Sequence, residues 1–153
     1  MSFWDSMHIG TSALNAQRLR LDLISNNIAN IQTTHTADGG PYKRKDVVFS
    51  TQGENTFLPT LVLASQRQNA LQANDLNLGG VQVADVITDQ TPGQQIYDPT
   101  HPDADQNGYV TMPNVDLVVE MTNMLSATRS YEANLATIDN AKRMAIKALD
   151  IGR

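Results

Sequence analysis

Asp103-Ala104-Asp105-Gln106-Asn107-Gly108 is the stretch whose residue types and spacing come nearest to chemistry. Oxygen-bearing side chains alternate along it and a glycine stands where the backbone must turn, as in the first half of the calcium loop D-x-[DN]-x-[DN]-G. The second half does not follow. Its twelfth position is Asn114 where a bidentate carboxylate is required, Pro113 precedes it, and Pro99 and Pro102 forbid the entering helix. A loop lacking that carboxylate binds calcium weakly, so the expectation is a turn held by Asx side chains. His8, His35 and His101 lie far apart with no HExxH, CxxC or GxSxG context, and the glycines form no phosphate loop. No catalytic residue, cofactor site or metal site is expected, and the chain does not read as an enzyme.

Two polar clusters remain. Ser25-Asn26-Asn27-Ile28-Ala29-Asn30-Ile31-Gln32-Thr33 carries its asparagines where a helix should stop. Asparagine bonds locally and tolerates the left-handed conformation, which accounts for a plain helix end. Alternatively Asn26 and Asn30, four apart and on one face, bond across to a neighbouring helix or subunit. Lys43-Arg44-Lys45, beside Tyr42, reads first as a solvated run and second as a docking site for an acidic surface.

These clusters are positioned by two helices at the ends of the chain. From Asp116 to Ile151, the positions Leu117, Met121, Met124, Thr128, Tyr131, Leu135, Ile138, Lys142, Ala145 and Leu149 step by four and three, the seam spacing of a coiled coil. Asn114 stands where an N-cap belongs, with acids in the first turns and Lys142, Arg143 and Lys147 toward the end. At the other end of the chain, Met7, Leu14, Leu21 and Ile28 recur every seven residues, joined by Ile24 and Ile31, with Gly10 and Gln17 as gaps in the first half; Ser2 and Asp5 resemble a capping box. Each stripe is incomplete alone, so the two helices are expected to pair and to need further partners.

The fold expected is mainly α with a small β-containing middle. Residues 1–31 form the N-terminal helix, 32–115 a polar arm and an irregular, partly β segment, and 116–153 the long C-terminal helix, the two helices making one core. In the middle, Val47–Phe49, Leu58–Ala64 and Val81–Thr88 read as strands, the last with a bulge near Ala84-Asp85 because its valines change face. Residues 66–80 read as a loop or a short helix. Asp98-Pro99 through Pro102 is expected to exclude regular structure before the final helix.

Composition narrows the partners. Of 153 residues, 41% are hydrophobic and only 5% aromatic, enough for one modest core. A net charge of -5 argues against nucleic acid or an anionic membrane as the main partner. There is no cysteine, and no run is long and apolar enough to span a bilayer. The N-terminus shows no cleavable signal pattern, so the expectation is a cytoplasmic chain or one exported by another route.

The asparagine motif closing the first helix resembles that of bacterial flagellar rod, hook and hook-associated proteins. Val81–Ile87, Tyr97-Asp98-Pro99, His101-Pro102, Ala104-Asp105, Gly108-Tyr109-Val110, Met112–Asp116 and Ser126–Asn134 resemble, more narrowly, the proximal rod proteins of the flagellar basal body. The resemblance implies that the terminal helices form the inner tube of a helical assembly with copies of the chain and other rod and basal-body proteins. It also implies passage through the flagellar export apparatus, a place in the periplasmic rod, and transmission of torque from motor to hook. The subunit interface is then expected at Met7, Leu14, Leu21, Ile24, Ile28, Leu117, Met121, Met124, Tyr131, Leu135, Ile138, Ala145 and Leu149, with Asn26, Asn27 and Asn30 as the family motif. A cytosolic coiled-coil adaptor and a calcium-dependent binding module are the rival readings.

Overall fold

A computed structural model of the chain describes residues 3–37, 39–52 and 79–151. Ser2, the apolar run Leu58–Ala64 and nearly all of 66–80 lie outside them. Helix α1 runs Phe3–Ala29, strands β1 and β2 span Lys45–Thr51 and Val81–Thr88, β3 and β4 span Gln95–Tyr97 and Tyr109–Thr111, and helix α2 runs Leu117–Ile151. The described residues are thus mainly helical, with two small antiparallel strand pairs, β1–β2 and β3–β4.

The helices lie against each other in opposite directions. Near the start of α1, Gly10 meets Ile138; near its end, Asn27 reaches Glu120. With 35 residues, α2 is about 50 Å long. Its start is fixed by Asp116, whose Oδ1 accepts from the backbone N–H of Val118 at 2.8 Å and of Val119 at 3.2 Å. The expected N-cap at Asn114 is therefore corrected by two residues. A carboxylate suits the positive end of a helix better than an amide, and Asn114 instead donates to Asp89 Oδ2 at 3.3 Å.

In the β1–β2 ribbon, Val48 faces Asp85 while Phe49 faces Val83, which leaves Ala84 as the extra residue of a bulge. The proline-rich stretch after Asp98 is a correction of another kind. It does not extend irregularly to the final helix but makes the loop of the β3–β4 hairpin. Asp98 Oδ1 takes the N–H and hydroxyl of Thr100, Asp105 Oδ1 takes the N–H of Asn107 and Tyr109, and Gly108 adopts φ 79° to let the chain return. The expected Asx turn is what Asp105 builds. Prolines break a strand but suit a hairpin loop.

Among the described residues, the fully buried apolar ones are Ala16, Ile24, Val110, Ala127 and Ala141, mostly alanine. So few methyl groups give weak hydrophobic closure. Close approach at Gly10 and polar bonding at Asn27 join the helices, with Ile24 buried and Met124, Tyr131 and Ile138 half-buried.

Candidate functional site

Asn27 is the centre of a buried polar junction where the end of α1, the arm before β1 and the first turn of α2 meet. Its side chain is fully buried and uses all four of its hydrogen-bonding positions. Nδ2 donates to the carbonyl of Lys45 at 2.8 Å and to Glu120 Oε2 at 3.1 Å. Oδ1 accepts from the backbone N–H of Lys45 at 3.0 Å and from the Tyr42 hydroxyl at 3.0 Å. One side-chain amide thereby holds a strand, an arm and a helix.

Glu120 completes the junction. Its side chain is only 1% exposed, and Oε1 accepts from Arg44 Nε at 2.9 Å while Arg44 also reaches Asp46 at 3.1 Å. A buried carboxylate needs this pairing, since an unpaired charge there would cost several kcal/mol. Burial alone would lower the Arg44 pKa, but the hydrogen bonds and charges of Glu120 and Asp46 outweigh it and raise it further, so the guanidinium stays charged. Burial, and secondly the Glu120 carboxylate, push the Tyr42 hydroxyl above its ordinary value and keep it a donor to Asn27.

Asn30 follows the plain helix-end reading, and the reading of the basic run is corrected. Asn26 and Asn30 do not bond across within the chain: Asn30 Nδ2 donates to the Asn26 carbonyl at 2.9 Å, and the Asn26 side chain is exposed. The crossing asparagine is Asn27, because the inward face of α1 runs through Ile24 and then three residues on. The basic run is not a uniform solvated face either. Arg44 turns inward to Glu120, while Lys43 bonds Gln90 at 2.7 Å and Lys45 stays exposed. The one signal for this pair was Glu120 itself, a charge four residues before Met124 on the same face.

The inward face of α2 carries Glu120, Met124, Ala127, Tyr131, Asn134, Ile138, Ala141 and Ala145, all buried or half-buried. Of the stripe read from spacing, Met124, Tyr131, Ile138 and Ala145 share this face. Leu117, Met121, Leu135 and Leu149 are exposed, Leu135 at 52% and Leu149 at 75%, in company with Val118, Leu125 and Ile146. On α1, Ile24 is buried and Met7, Leu14, Leu21 and Ile28 are half-buried. The inner face of α2 thus mixes small and large residues, and a stripe of large apolar ones stays exposed beside it.

Of the calcium-like segment, Asp103 Oδ2 accepts from the Thr34 hydroxyl at 2.6 Å, tying the hairpin loop to the arm. Among the described residues no three His, Cys, Asp or Glu side chains gather as metal ligands, and no helix is long and apolar enough to cross a membrane.

Two family models match the chain: "Flagella basal body rod protein" over residues 7–34 and "Flagellar basal body rod FlgEFG protein C-terminal" over residues 106–151. They fall on the two helices and on the hairpin leading into α2. Relatives described as flagellar basal-body rod protein FlgC match from end to end. That of Borreliella burgdorferi is 41% identical over 99% of this chain and 98% of its own. Those of Bacillus subtilis and Escherichia coli O6:H1 are 40% and 39% identical over the whole of both chains.

Proposed function

Because this chain belongs to the family of the flagellar basal-body rod protein FlgC, we propose that it builds the proximal part of the rod by burying the outer stripe of α2 against neighbouring subunits. It is a structural subunit of the flagellar basal-body rod and not an enzyme. Neither a cytosolic adaptor nor a calcium-dependent module is supported.

The observation that carries the assembly reading is the outer stripe itself. Leu117, Met121, Leu125, Leu135, Ile146 and Leu149 are exposed along one helix, while the fully buried apolar residues among those described are mostly alanine. Burying each large side chain contributes about 1.5–3 kcal/mol before ordering costs, so several per subunit stabilise a stiff lattice. Contacts made by different faces of successive subunits generate an open rod when the rotation between subunits does not close into a ring. In this reading α1 and α2 pair as a coiled coil and pack beside other copies and other rod proteins, the ribbon and hairpin lie outside, and the rod carries torque across the periplasmic space. The subunits reach it through the flagellar export apparatus. Met7, Leu14, Leu21, Ile24, Ile28, Met124, Tyr131, Ile138 and Ala145 hold the pair, and Leu117, Met121, Leu135 and Leu149 meet the neighbours.

The chain has no cysteine of its own, so single introduced thiols report burial cleanly. Leu135→Cys should react with a maleimide in the free subunit and be protected in isolated basal bodies. Equal labelling in both would contradict burial of the stripe.

A further inference from the structure

We infer that the β1–β2 ribbon carries its own edge guards, Asp46 and Asp85, which occupy outward-facing backbone donors and keep rod subunits from pairing strand to strand. The register identifies those donors. Asp89 N–H bonds the Arg44 carbonyl at 2.8 Å, so in an antiparallel ladder of this register the residues one step on, Lys45, Val47, Val86 and Thr88, point their backbone groups away from the partner strand. Beyond the bulge, Gln52 N–H bonds the Gly80 carbonyl at 2.7 Å, which turns Val81 outward in the same way.

Four of these outward N–H groups are taken by side chains. Asn27 takes Lys45 N–H at 3.0 Å and Ser12 Oγ takes Val81 N–H at 3.0 Å, both from α1. Asp46 Oδ1 takes Val47 N–H at 2.8 Å on one edge, and Asp85 Oδ1 takes Val86 N–H at 2.7 Å on the other. The last two lie in the half of the ribbon that α1 does not cap through Ser12, beside Val48, Val86 and Ile87, which are exposed. A two-stranded ribbon with bare edges and exposed β-branched residues is a template for another strand. In a chain that polymerises through its helices, such pairing would compete with rod growth. A carboxylate folded back on the next N–H fills the donor that a further strand would need.

Asp46 also binds Arg44, so the test rests on Asp85. Full-length Asp85→Ala, Asp85→Asn and Asp85→Ala/Val86→Pro subunits are followed by thioflavin fluorescence and the infrared band of intermolecular β-structure, with thermal melts confirming folding. Asp85→Ala should shorten the lag several-fold. Asp85→Asn, whose amide oxygen still accepts, should behave as the parent. The added proline removes the N–H at an edge position where proline is tolerated, and should restore the parental lag, which a merely unstable fold would not. An unchanged lag in Asp85→Ala, a shortened one in Asp85→Asn, or no rescue by Val86→Pro would each overturn the inference.

Discussion

Ile138 stands so close to Gly10 that a Cβ at position 10 would lie 2.6 Å from its Cγ1 and 2.9 Å from its Cδ1. The glycine that interrupts the apolar spacing of α1 thus packs directly against a side chain of α2. Gly10→Ala gains roughly 1 kcal/mol of helix propensity but meets overpacking of about 1–3 kcal/mol. It should lower the denaturation midpoint in the parent and raise it in an Ile138→Ala background. A double-mutant cycle by chemical unfolding checks the change of sign.

Replacing the family asparagines separately should separate their roles. Asn27→Ala strands the Lys45 backbone, the Tyr42 hydroxyl and one Glu120 oxygen, at about 1–3 kcal/mol for each group left buried and unpaired. Asn26→Ala, at an exposed position, should stay within about 0.5 kcal/mol of the parent. Equal effects in thermal melts would remove Asn27 from the centre of the junction.

Glu120→Ala leaves Arg44 without its main partner and should cost about 3–5 kcal/mol, as breaking a buried pair does. Replacing both residues with methionine should recover much of that loss. The recovered variant should also show whether the charged pair fixes the arm: its Tyr42 and Lys45 amides should exchange faster even where the melting temperature returns.

Acid should loosen the start of α2. The Thr91 hydroxyl and backbone N–H hold the Asp89 carboxyl below its ordinary value, and Thr100 does the same for Asp98. A lowered folded pKa means that the folded state binds the proton less readily. The stabilisation is therefore present above the ordinary carboxylate value, about 4, and is lost as pH falls through the lowered one. As pH falls through that lowered value, the Asp89 carboxylate stops accepting from Thr91 and Asn114, so amide exchange around residues 114–118 should quicken. Asp89→Asn should flatten that acid dependence.

Helix existence and type were legible because Met7, Leu14, Leu21 and Ile28 and the longer stripe of α2 repeat over many turns. The bulge at Ala84 was legible because alternation of valines changes face there. The rotation of α2 was not. Spacing finds the large residues, whereas the inner face is chosen by what lets the backbones approach, and Ala127, Ala141 and Gly10 do so by being small. Asn27 was hidden for a similar reason. Three asparagines look alike in a string, and only the three-dimensional junction selects the one that meets Lys45, Tyr42 and Glu120. The β3–β4 hairpin was missed because three-residue strands carry too little pattern to outweigh the prolines between them.

The central claim, a rod subunit assembling through the outer stripe of α2, is tested most directly by Leu135→Asp. Leu135 is exposed in the subunit, so a charge there should leave its melting temperature nearly unchanged, within about 0.5 kcal/mol of stability. Buried against a neighbour, the same carboxylate should cost several kcal/mol per contact. Expressed as the only copy in a motile cell, the variant should be made at normal levels yet give no rods in basal-body preparations and no swimming. Normal rods and normal swimming would contradict assembly through this face.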